Sequence, residues 1–156
     1  MKKFIVKIPA FLATLFIAAS LLVVGSAIPA SASADGCTLA PGLSGAKQCI
    51  YVTGHKQKIT KIESRYYSGV SPWPPQLCNV THQTSYTSAD NGIRLTLQGS
   101  NNACKPGLPG IYNSKSWSGT RYAALNTNVC ARSKSSHTDY AWTSSACIRI
   151  KKPFLF

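Results

Sequence analysis

Acidic residues are almost missing from this chain: Asp35, Glu63, Asp90 and Asp139 are the only four in 156 residues. Glycoside cleavage calls for a carboxyl pair flanking the scissile bond, and no two of these four form a recognisable pair. Histidine is scarce as well, with His55, His82 and His137 alone. Neither C-x-x-C nor H-x-x-x-H spacing occurs, so nothing points to a metal site, and neither a metal nor a cofactor is expected. Serine is abundant, but no G-x-S-x-G elbow surrounds any serine and the chain is short for that hydrolase fold.

Branched aliphatics are thin too. After residue 34, Ile, Leu, Val and Phe together number 21, about 17% of the remaining 122 residues. A share below about 20% with high net charge is typical of chains that stay disordered. Seven tyrosines and three tryptophans, Trp73, Trp117 and Trp142, restore part of the deficit, since each ring can bury roughly 150–250 Å². The rest is expected from cross-links.

What the chain does have begins at its N-terminus. Lys2, Lys3 and Lys7 form a positive region, an uncharged stretch runs from Ile8 to Ala34, and Ala32-Ser33-Ala34 supplies small residues for a peptidase. That order reads as a secretory signal peptide over residues 1–34, cleaved on export. An uncleaved anchor is the competing reading, because about 20 apolar residues span a bilayer, but Pro9 and Pro29 argue against it. Residues 35–150 then form one domain, and 151–156 a basic, aromatic tail.

All six cysteines, Cys37, Cys49, Cys78, Cys104, Cys130 and Cys147, lie after residue 34. An even count in a small exported chain reads as a disulfide framework, with fifteen pairings open to six cysteines. Asp90-Asn91-Gly92 is the strongest hairpin signal, expected as a type I′ turn, and Cys78 and Cys104 are equidistant from its centre. Cys37 and Cys49 flank one turn-rich stretch, Cys130 and Cys147 another. Sequential pairing is the expectation.

Period-2 patterns dominate the rest. Cys49–Thr53, Cys78–Thr87, the alternation of Ile93, Leu95 and Leu97 with Arg94, Thr96 and Gln98, and that of Ala146, Ile148 and Ile150 all read as strands. Thr60-Lys61-Ile62-Glu63 matches a helix capping box, yet its β-branched and aromatic surroundings favour a strand. Pro- and Gly-rich breakers separate these segments. The fold expected is all-β, a small disulfide-stabilised β-sandwich or open β-barrel after the signal peptide.

The pieces Cys49-Ile50-Tyr51-Val52-x-Gly54, Asn128-Val129-Cys130-Ala131 and Ser145-Ala146-Cys147-Ile148-x-Ile150, with Trp117 between the first two, resemble a group of small secreted disulfide-containing actinobacterial proteins. The resemblance implies export and a disulfide-held β fold. It carries over no functional residue.

Charge supplies the functional argument. Fourteen lysines and arginines follow residue 34 against the four acids, a net charge near +10, so most cations must face solvent and attract polyanions. The densest stretch, Lys56, Lys58, Lys61 and Arg65 with Tyr66 and Tyr67, is the candidate polyanion-binding site, cations for phosphates and rings for sugars or bases. The expected role is a secreted, cationic, non-enzymatic domain on anionic cell-wall polymer or a membrane surface, with antibacterial action as one use. One alternative is a protein-binding module of the protease-inhibitor type, with Trp73 in its proline-stiffened loop as the anchor. Another is a small ribonuclease, with Glu63, Arg65 and a histidine around one phosphate of nucleic acid.

Overall fold

The computed structural model describes residues 33–41, 44–69, 76–106 and 110–151. Residues 1–32, the Trp73 loop and the tail beyond Lys151 lie outside them. Among the described residues eight strands form: β1 (Ala34–Leu39), β2 (Lys47–His55), β3 (Lys58–Tyr67), β4 (Val80–Thr87), β5 (Arg94–Asn101), β6 (Tyr112–Tyr122), β7 (Asn128–Lys134) and β8 (Ala146–Arg149). They make two four-stranded antiparallel sheets, ordered β1-β2-β3-β6 and β5-β4-β7-β8. The protein is an all-β sandwich.

The ambiguous segment around Thr60 is strand β3. Pairing with β2 on one side and β6 on the other outweighs its helical spacing, because each extended residue then satisfies its backbone in a central strand. β2 runs past Gly54 to His55 through a bulge between Thr53 and Gly54. A Cβ at Gly54 would stand 2.1 Å from the Lys58 carbonyl oxygen, which leaves glycine as the residue that fits there. The β4–β5 hairpin forms where Asn91-Gly92 places it, but not as a two-residue type I′ turn. Ser88 N–H donates to the Ile93 carbonyl at 2.9 Å and Gly92 N–H to the Ser88 carbonyl at 3.0 Å. That longer connection requires positive φ only at Gly92, with φ 69°.

Inward side chains stack in layers between the sheets. Ile50, Val52 and Ile62 from the first sheet meet Tyr86, Val129, Ala131 and Ile148 from the second in one apolar cluster, and Tyr66, Leu77 and Val80 form another. Between them lies a buried polar layer of Gln48, Ser64, His82, Asn113 and Ser133. β5 is an edge strand, so the apolar side of its alternation is only half covered: Leu95 is 38% and Ile93 57% exposed.

The cysteines pair in sequence, Cys37–Cys49, Cys78–Cys104 and Cys130–Cys147. Two of these bridges join directly opposed positions, β1 to β2 and β7 to β8. Each closed loop restricts the unfolded chain and contributes on the order of 2–4 kcal/mol, which offsets a core this poor in aliphatics. Such bridges persist in an oxidising, extracellular-type environment.

Candidate anion-binding faces

Strand alternation decides which residues of the basic 55–67 stretch reach solvent. On β3, Lys61, Glu63, Arg65 and Tyr67 point outward while Ile62, Ser64 and Tyr66 point into the core. Tyr66 is fully buried, with its ring against Leu77 and Val80. It is therefore no contact for an external polyanion, because its place in the strand register sends it inward.

Opposite charge is built into the same outer face. Lys61 Nζ lies 2.9 Å and Arg65 Nε 2.6 Å from the two carboxylate oxygens of Glu63. Burial raises the Glu63 pKa, but the hydrogen bonds from Arg65 and Lys61 outweigh it and hold the carboxyl below its ordinary value. The Arg65 guanidinium is also packed between the Tyr51 and Tyr112 rings, 4.2 and 4.6 Å from their centroids. Lys47 covers Tyr67 at 4.7 Å, and Tyr67 stacks obliquely on Tyr112 at 5.1 Å. The depression beside this cluster, about 290 Å³, is lined by Asp35 and Glu63 as well as by Lys61 and Arg65. Much of this cationic charge is cancelled where it stands. Lys56 and Lys58 are exposed at the β2–β3 turn.

The outer face of the second sheet is different. None of its four strands contains an aspartate or glutamate. Arg94 on β5, Arg132 and Lys134 on β7 and Arg149 on β8 all project from it, amid Thr81, Gln83, Ser85, Thr96, Gln98 and Ser100. The partners of these cations are neutral. Arg94 donates to Ser85 Oγ at 2.6 Å, and Arg132 Nε donates to Gln83 Oε1 at 2.7 Å. Arg132 and Lys134 both lie over the Trp142 ring, at 4.7 and 5.1 Å. Contacts of this kind fix a cation's position and leave its charge intact. A cleft of about 180 Å³ opens on the face between Arg94 and Arg132.

His82 does not join Glu63 and Arg65 to complete a phosphate-cleaving set. His82 lies on the inner face of β4, on the opposite side of the first sheet from Glu63. His55 ends β2 at the hairpin, and His137 falls in the short 3₁₀ turn Ser136–Thr138. His82 instead has the connectivity of a base with serines and an orienting amide. Ser64 Oγ and Ser133 Oγ stand 3.0 and 2.8 Å from Nδ1, and Asn113 Oδ1 lies 3.0 Å from Nε2. All four side chains are wholly enclosed, so no substrate reaches them. Desolvation pulls the imidazole pKa down to about 4, against a smaller upward pull from Asn113, and the layer is neutral core structure.

Comparison with protein-family models, with curated proteins and with solved structures gave no match. Sequence reading missed Arg132, Lys134 and Arg149 as partners of Arg94, because 55 residues separate the first from the last. A weak signal existed in the wet positions of the two alternating segments that carry Arg94 and Arg149.

Proposed function

We propose that this chain is an exported, non-enzymatic domain that attaches to anionic polymers of a cell envelope through the outer face of its second sheet. The observation that carries this reading is a sheet face with four cations and no carboxylate in any of its strands. Four like charges, three of them held by neutral neighbours, produce a field that attracts a polyanion, and contact with repeated phosphates releases its counterions. The signal-like N-terminus and three disulfides fit an extracellular site of action. A ribonuclease reading is disfavoured by the separation of His82 from Glu63.

The test is retention of the oxidised protein on purified cell walls, with and without their phosphate-rich polymers, across a salt series. Retention should need the polymer and fall steeply with salt. Neutralising Arg94, Arg132, Lys134 and Arg149 together should abolish it, whereas neutralising Lys56 and Lys58 should reduce it little. Salt-insensitive retention, or retention indifferent to the four changes, rejects the proposal.

A further inference from the structure

Resting on that reading of the second sheet, we propose that the cleft between Arg94 and Arg132 is a discrete site for one phosphate group of a phosphodiester-bearing polymer. The two arginines come from β5 and β7, which flank β4 on either side, and so line the cleft from its two walls. β4 supplies Gln83 and Ser85 between them, β5 adds Thr96, and Ser145 borders the cleft.

Both guanidinium groups are pre-set. The Arg94 terminal nitrogen is held by Ser85 Oγ at 2.6 Å. Arg132 is held through Nε by Gln83, whose own amide is fixed on Gln98 Oε1 at 3.1 Å, and its plane lies over Trp142. Those contacts engage one nitrogen of each group and leave further N–H donors for a ligand. Preorganisation of this kind lowers the entropy lost on binding.

Geometry then selects the anion. One arginine fork satisfies the two oxygens of a planar carboxylate, whereas a tetrahedral phosphate presents oxygens in several directions. Donors on opposite walls, with hydroxyls between them, fit the second case. The absence of aspartate and glutamate from the strands around the cleft removes the repulsion such an anion would meet.

Titration of the oxidised protein with inorganic phosphate at constant ionic strength, followed through the arginine Nε–H resonances, tests the assignment. Saturable shifts should appear at Arg94 and Arg132, and acetate under the same conditions should produce none. R94Q and R132Q should each weaken phosphate binding by about tenfold or more, a change of about 1.4 kcal/mol, while K56Q, at the β2–β3 turn of the first sheet, leaves it unchanged. R94K keeps the charge but loses the fork, so it should lose phosphate selectivity and keep salt-sensitive retention on cell walls. Shifts that never saturate, that acetate reproduces, or that respond equally to K56Q overturn the discrete site. If retention on cell walls still collapses when all four cations are neutralised, the polymer-binding reading survives that failure. If retention is indifferent to them, both fall.

Discussion

Asn113 Oδ1 accepts from His82 Nε2 across 3.0 Å in the middle of the sandwich. The orientation is forced, because Asn113 Nδ2 donates to the Asn101 and Ala103 carbonyls at 3.3 and 3.1 Å. The imidazole is therefore protonated on Nε2, and Nδ1 accepts from the serine hydroxyls that converge on it. A second proton would have to sit on Nδ1, in a fully enclosed site. The unfolded chain takes up that proton below about pH 6.5 and the folded chain only near 4.

Stability should thus be complete above pH 6.5 and fall as the pH drops towards 4, by about 3 kcal/mol from this residue. Denaturant unfolding across that range measures it. H82Q should flatten the slope in this window, and an unchanged slope would refute the assignment.

Thr84 sits in the same interior, and its hydroxyl oxygen has no hydrogen-bond partner among the described residues, as is also true of Gln48 Oε1. A buried unsatisfied hydroxyl costs about 1–3 kcal/mol, and valine has nearly the same shape. T84V is expected to raise stability by roughly 1 kcal/mol, read as a higher denaturation midpoint. A loss of stability would mean that the hydroxyl has a role in the layer.

Glu63 distinguishes the two faces by its ion pairs with Lys61 and Arg65. E63Q removes both ion pairs from Arg65 and Lys61. Because these groups are partly exposed, a loss of about 1 kcal/mol is expected. The contribution of the wild-type pair is present at neutral pH and disappears on the acid side, as the pH falls through the lowered carboxyl pKa. Retention on cell walls should change by no more than about twofold, since the polymer is assigned to the other sheet. A large gain in retention would move the binding face to the first sheet.

Much of the scaffold was legible because its signals are local. Alternation marks β3, β5 and β8, Asn91-Gly92 marks a hairpin, and the positions of the cysteines around turn-rich stretches anticipate their pairing. β6 gave no such signal. Its sequence, Tyr112–Tyr122, is polar on both sides, because its inward Asn113 serves the hydrogen-bonded layer and Ser114, Ser116 and Ser118 line the wet face. The candidate site was less legible. The basic stretch that ends at Arg65, Tyr66 and Tyr67 looked like one patch, but β3 turns Tyr66 into the core and supplies Glu63 to neutralise the outward pair Lys61 and Arg65.

By itself, the sequence determined the strand content, the cross-linked economy of the core and the excess of positive charge, since these follow from periodicity, cysteine count and composition. Only the tertiary structure decided where that charge is concentrated. The order β5-β4-β7-β8 gathers Arg94, Arg132, Lys134 and Arg149 onto one face whose strands hold no acidic residue. Strand order is set by non-local pairing, and a pattern read along the chain does not contain it.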